Sequence, residues 1–285
     1  MKFTGKDKLN IIADIWGQSD NPLVVLLHGG GQTRHAWGNS GKILSSAGFH
    51  VVAMDLRGHG DSDWHPDGDY SIDSHKQDLI NVLRTLGKPA SLVGASLGGM
   101  ISLSLAGDKE NSKFCSSLVM VDIGLYPDPQ GAIRIVNWMK SSEKGFESIE
   151  EAAEAVAGYL PHRKRPRNVR GLKKNLRKKD DGRYYWHWDP RFLVGRKESE
   201  YDNLEDIQRN VAKRVTAPTL LIRGALSDVV TERNVNDFLA SIPHAEFKEI
   251  RKAAHMVAGD RNDVFAEEAI KFLKRIEQKR KKQNF

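Results

Sequence analysis

A single cysteine, Cys115, in 285 residues leaves no pair for an internal disulfide and suits a reducing compartment, so a cytoplasmic location is the expectation. It precedes the apolar run Leu118-Val119-Met120-Val121, which reads as a packed strand and not as the setting of a reactive thiol. No apolar run approaches the roughly 18 residues that a membrane span requires. No apolar signal region follows Met1, which argues against secretion. There is no internal repeat. Zinc-like spacing is missing as well: His59 and His65 share a polar loop, and His187 stands between Trp186 and Trp188. Gly29-Gly30-Gly31 lacks the Gly-Lys-Ser/Thr of a phosphate loop. Neither a metal nor a cofactor is expected.

The charge is uneven. Residues 161 to 180 hold ten Lys/Arg against one acid, and residues 271 to 285 hold seven against one. Those two stretches carry +15 and leave the other 250 residues at −8, so the net +7 describes two surfaces. The first cluster (Arg163-Lys164-Arg165, Arg167, Arg170, Lys173-Lys174, Arg177-Lys178-Lys179) has no interleaved aromatics and no recognised binding fold around it. A solvated face is the expectation; steering of acidic substrates and a basic binding module are the alternatives, and nucleic-acid binding is not favoured. Lys279-Arg280-Lys281-Lys282 reads as the frayed end of a helix.

Apolar periodicity gives the architecture. Residues 2 to 16 read as an antiparallel pair turning at Gly5-Lys6-Asp7. Leu23-Val24-Val25-Leu26-Leu27 is apolar throughout, as in a strand covered on both faces. Helices are predicted near 34–47 and 73–86, the second stopped by Gly87 with Pro89 beyond. Strands follow at His50 to Met54, up to Ala95, and at Leu118 to Val121. After Gly124 the rhythm breaks, and helical signals dominate to about residue 210: Ser148 and Glu151 fit a capping box, and Ile149, Ala152, Ala153, Val156 and Leu160 share one face before Pro161. About 85 residues is too long for a loop in a compact domain, so 125–210 reads as an inserted helical cap. The core is then 1–124 and 211–285, with a strand at Thr219 to Ile222, a helix near 232–241, a strand around 245–250 and a last helix near 261–280. Strands alternating with helices predict an α/β fold with a mostly parallel, doubly wound sheet.

The chemistry centres on Gly94-Ala95-Ser96-Leu97-Gly98, a Gly-x-Ser-x-Gly sequence between an apolar strand and an apolar helix. In that context the serine stands on a strained turn with its hydroxyl exposed, so Ser96 is the candidate nucleophile. A hydroxyl needs a base, and the base needs an orienting carboxylate. His255, after the last strand, is the expected base. Asp228, past the strand 219–222, is the expected acid, with Asp122, which also ends a strand, as a competitor. Backbone N–H groups of Leu97 and Gly30 are the expected donors to an oxyanion, Gly31 being the alternative to Gly30. His28 is read as a brace for the glycine turn, and the Arg57 to Ser62 loop as support for the site. Trp138, Tyr159, Tyr184, Tyr185, Trp186 and Trp188 are candidates to line a pocket under the cap.

Leu27-His28-Gly29-Gly30-Gly31, Asp55-Leu56-Arg57-Gly58-His59-Gly60-Asp61-Ser62, Gly94 through Gly99, Arg223 through Asp228 and Ala254-His255 together resemble the α/β-hydrolase superfamily along most of the chain. The resemblance implies that 125–210 is the lid shaping the substrate pocket. It also implies hydrolysis of a small-molecule carboxylic ester or lactone through an acyl-enzyme; cofactor-free perhydrolysis and carbon–carbon bond hydrolysis are alternatives on the same fold. Epoxide hydrolases and dehalogenases of similar architecture use an aspartate nucleophile, against which Ser96 argues.

Overall fold

The computed structural model describes residues 1–159, 169–193, 204–251, 253, 255 and 262–283. Leu160 and Pro161, the expected end of the helix capped at Ser148, and Arg163, Lys164, Arg165 and Arg167 of the basic cluster lie outside the described residues, as do 254 and 256 beside His255.

Two short antiparallel strands open the chain, β1 (Lys2–Thr4) and β2 (Asn10–Trp16). Then come β3 (Leu23–Leu27), α1 (Gly38–Ser46), β4 (His50–Met54), α2 (Ile72–Leu86), β5 (Ala90–Ala95), α3 (Leu97–Ala106) and β6 (Cys115–Val121). After the insertion the alternation resumes with β9 (Thr219–Gly224), α7 (Glu232–Ser241), β10 (Glu246–Ile250) and α8 (Ala266–Gln283). The strands form one sheet in the order β1-β2-β4-β3-β5-β6-β9-β10, parallel from β4 onward. β3, which is apolar at every position, lies inside it between β4 and β5.

Successive strand residues face opposite sides, so one strand feeds two cores. Leu23, Val25 and Leu27 join Leu92, Met120 and Leu221 beneath Leu79 and Leu83 of α2, Ile101 and Leu105 of α3 and Phe238 of α7. Val24 and Leu26 join Val93, Val119 and Ile222 beneath Leu44 of α1 and Phe272, Leu273 and Ile276 of α8. α2 stops at Gly87 as predicted, at φ 71° in the left-handed conformation that glycine adopts at least cost, and at its start the Ser71 side chain accepts from the Ser74 N–H.

Between β6 and β9 the chain forms α4 (Pro129–Ser141), α5 (Ile149–Tyr159), the strands β7 (Leu176–Lys178) and β8 (Tyr184–Trp186), and α6 (Leu204–Ala212). Asp128 caps α4, accepting from the N–H groups of Gln130 and Gly131 with Pro129 in the first turn. Helices are joined in the insertion by a short sheet, in which β7 and β8 form an antiparallel ribbon turning at Gly182, whose φ is 80°. α6 packs on α3 and α7 and so joins the helical layer of the core, although it begins within 125–210.

Candidate active site

Ser96 joins β5 to α3 with φ 46° and ψ −115°, outside the regions that side-chain-bearing residues favour. Such a backbone costs on the order of 1–3 kcal/mol and persists only where neighbours impose it. Here they do. The Ser96 N–H donates to the Val121 carbonyl at 3.1 Å, the Gly98 N–H to the His28 carbonyl at 3.1 Å, and the Met100 N–H to the Ser96 carbonyl at 3.1 Å. The flanking glycines are required by space: a Cβ on Gly94 would stand 2.2 Å from the Gly98 carbonyl oxygen, and one on Gly98 2.4 Å from that of Leu27.

His255 is buried and lines the same cavity as Ser96. The carboxylate beside its ring belongs to Asp122: the His255 Nδ1–H donates to Asp122 Oδ2 at 2.8 Å. Asp122 is buried at the end of β6, with φ 51°. Its Oδ1 accepts the Gly224 N–H at 2.8 Å, and its Oδ2 also accepts the Ser227 hydroxyl at 2.9 Å. Asp228, the expected partner of His255, sits elsewhere. It is 41 % exposed and paired with Arg134 of α4 at 2.9 Å.

The exchange has a local cause. β6 and β9 are parallel neighbours with Val121 opposite Ile222, so both strand ends reach the site. Asp122 follows its strand at once. The chain after β9 first turns at Gly224 to Ser227, which delivers the Ser227 hydroxyl to Asp122 and carries Asp228 outward to α4.

The glycine turn after β3 is held by imidazoles. The Leu56 N–H donates to His28 Nε2 at 3.0 Å, so the ring proton is on Nδ1, which faces the Gly29 carbonyl at 2.8 Å. Burial, reinforced by the nearby Arg34 cation, lowers the His28 pKa to about 4 and keeps the ring neutral. The Gly29 N–H is taken by the Gln32 side chain at 3.0 Å and the Gly31 N–H by His59 Nε2 at 3.1 Å. With the Gly29 and Gly31 N–H groups occupied, Gly30 is the glycine donor left in this turn among the described residues. Gly30 lines the cavity beside Ser96 and Leu97, and Leu97 is the first residue of α3, where backbone N–H groups lack partners within the helix.

The loop 55–62 links this turn to the insertion. Arg34 pairs with the buried Asp55 and, at 2.9 Å, with Asp61. Arg57 forks onto Asp78 of α2 through Nε at 2.6 Å and Nη2 at 2.8 Å, both side chains fully buried. The Gly60 N–H donates to His187 Nδ1 at 2.7 Å, which leaves the other ring nitrogen to donate to the Gly31 carbonyl at 3.1 Å. Both backbone polar groups of Gly31 are thus held by histidines, its N–H by His59 from the loop and its carbonyl by His187 from the insertion. Burial holds the His187 pKa well below that of a free imidazole. Asp189 extends the junction by donating its N–H to the Gly58 carbonyl at 2.9 Å and accepting from Tyr70 and Arg191. His187 went unassigned in the sequence, and His59 was read only as part of the supporting Arg57 to Ser62 loop, since residues so distant along the chain give no periodic signal.

A cavity of about 80 Å³ opens over Ser96 and His255, walled by Met100, Ile123, Ile135, Trp138, Met139, Phe192 and Leu193. Apart from His255, no ionisable side chain lines it among the described residues. Of the aromatic candidates Trp138 borders this cavity, while Trp186 and Trp188 stack on each other with centroids 5.0 Å apart. The described part of the basic cluster is a surface: Arg177 pairs with Asp61 at 2.7 Å, and the Lys178 and Lys179 ammonium groups lie over the Tyr184 and Tyr185 rings. Cys115 is buried, which raises its thiol pKa to about 12. Among the described residues no cluster of His, Cys, Asp or Glu suits a metal ion, and no helix is long and apolar enough to cross a membrane.

Residues 22–261 match the family model described as alpha/beta hydrolase fold. The chain is similar to esterase Rv0045c of Mycobacterium tuberculosis, 30% identical over 256 residues that cover 86% of this chain and 80% of that protein. It is also similar to protein phosphatase methylesterase 1 of Bos taurus, 32% identical over 161 residues, but spans only 40% of that protein. Superposition on the solved E-2-(acetamidomethylene)succinate hydrolase gives a TM-score of 0.80 at 22% identity over 98% of each chain, a likeness of fold.

Proposed function

The chain belongs to the α/β-hydrolase family, and from that premise we propose that it is a serine hydrolase cleaving a small carboxylic ester or lactone through an acyl-enzyme. The observation that carries the reading is the His255–Asp122 hydrogen bond beside the cavity that Ser96 lines. With its Nδ1 proton held by Asp122, His255 presents an unprotonated Nε2, the form in which imidazole accepts a proton from a serine hydroxyl.

Ser96 Oγ attacks the carbonyl carbon as its proton passes to His255 Nε2. The carbonyl oxygen becomes an oxyanion held by the Gly30 and Leu97 N–H groups. Collapse expels the alcohol, which takes the proton from His255 and leaves the acyl group on Ser96. Water then repeats the sequence, giving its proton to His255 and its oxygen to the acyl carbon, and the carboxylic acid departs as Ser96 regains its proton. Asp122 keeps the imidazole oriented and stabilises the imidazolium at each stage. The apolar wall favours uncharged groups on both sides of the scissile bond, since an ion placed there would lose its hydration without a partner.

Hydrolysis of p-nitrophenyl acetate and labelling by a fluorophosphonate test the reading. Both should depend on Ser96, and Ser96→Ala should leave neither an adduct nor ester cleavage above about one part in a thousand of the parent rate. Cleavage at the parent rate by Ser96→Ala would refute it.

A further inference from the structure

On the far side of Met139 and Leu193 from Ser96 lies a second space. Both residues line both cavities, which places them at the border the two spaces share. The outer space measures about 30 Å³ and is bounded by the rings of Trp64, which is 41 % exposed, and of Tyr185, Trp186 and Trp188 of the insertion, with Glu143 and Lys179 also on its border. Met139 is buried, and its terminal methyl lies 3.1 Å from the point a Cβ on Gly31 would occupy, so the thioether reaches the glycine turn itself. Unbranched thioethers fill irregular gaps because several rotamers cost nearly the same. Leu193 ends the short helical turn Pro190–Leu193 that follows the His187 junction.

We propose that Met139 and Leu193 form the partition that limits the length of apolar chain this site accepts, and that the aromatic chamber beyond them is the space a longer chain enters when the partition is shortened. The inference rests on the serine-hydrolase reading only for which part of the substrate that chain is. Its physical basis is independent: an apolar chain gains by burial for each methylene it can place and gains nothing once it meets a packed wall.

Straight-chain 1-alkanols from ethanol to decanol are the probes, with binding read by quenching of tryptophan fluorescence. In the wild-type protein affinity should rise about fourfold per methylene and then level off at a limiting length. Met139→Ala and, separately, Leu193→Ala should move that limit to longer alcohols. Ser142 also lines the outer chamber, so adding Ser142→Phe to Met139→Ala should fill it and abolish the gain. Thermal melts identify variants that remain folded, and Met139→Val serves if Met139→Ala does not.

An unchanged limit in folded Met139 and Leu193 variants overturns the partition. A gain that survives Ser142→Phe overturns the assignment of the outer chamber. Two p-nitrophenyl or acetate ester series, one varying the acyl chain and one the alcohol, should show a matching shift in the long-to-short ratio of kcat/KM in one of them; a shift in neither counts against the proposal. Absence of ester cleavage in the wild-type protein alongside an intact alkanol limit would sink the hydrolase reading and leave the partition standing.

Discussion

Asp122→Asn and Asp228→Asn separate two carboxylates that compete for one role. In the structure Asp122 Oδ1 accepts the Gly224 N–H at 2.8 Å while Oδ2 receives His255 Nδ1–H at 2.8 Å. An asparagine in this buried slot keeps its carbonyl oxygen toward Gly224, because that N–H can only donate. Its amide NH₂ then faces His255 Nδ1, which must become the acceptor, and the ring proton moves to Nε2. An imidazole protonated there cannot take the Ser96 proton. The equivalent change in a serine protease lowers kcat about 10⁴-fold, or about 5 kcal/mol in the barrier. Asp228 makes an exposed ion pair with Arg134, with side chains 41 % and 52 % exposed. Such pairs contribute about 0–1 kcal/mol, so Asp228→Asn should change kcat/KM by no more than about fivefold. Both variants are to be assayed on p-nitrophenyl acetate, with circular dichroism melts showing that each is folded. A folded Asp122→Asn within tenfold of wild type, beside an Asp228→Asn that has lost about a thousandfold, would refute the assignment.

Gly98→Ala should destabilise by about 3 kcal/mol or more, because the new methyl would stand 2.4 Å from a main-chain oxygen in β3; a urea midpoint near that of wild type would contradict the packing described. Arg57→Ala leaves Asp78 buried without its cation and should cost about 3–5 kcal/mol in chemical denaturation. Acid should weaken the fold in a defined window. His28 has a folded pKa of about 4, below the roughly 6.5 of the unfolded chain, so between these values the unfolded state binds more protons and stability falls as pH falls. The loss from His28 alone is on the order of 3 kcal/mol by pH 4, with His187 acting in the same direction. Urea unfolding at pH 7 and pH 4.5 checks this, and equal stability at both would be the contrary result.

The sheet was legible because its strands are buried on both faces, which makes β3 and β4 apolar at nearly every position. Ser96 and the need for Gly94 and Gly98 could be read from the motif, since the tight turn that exposes the serine leaves no room for side chains beside it. The position of His255 after the last strand was also readable. The identity of the carboxylate was not: two acids follow two adjacent parallel strands, and the turn at Gly224 to Ser227, not the strand order, decides which one faces the imidazole. The ribbon β7–β8 was missed although Asp180-Asp181-Gly182 is a hairpin signal, because a run of lysines and arginines masked the short strands on either side. The hydrogen bonds of His59 and His187 join residues brought together by folding alone, with Gly60 and His187 separated by 127 positions.

The grip of two imidazoles on the backbone of Gly31 also constrains how such a protein can diversify. An insertion transplanted from a relative without a histidine equivalent to His187 would leave the Gly31 carbonyl without that donor, and the loosened glycine turn would carry Gly30 with it. New specificities are therefore open to changes in the walls of the insertion, whereas the stretch from Trp186 to Asp189 travels with the catalytic core.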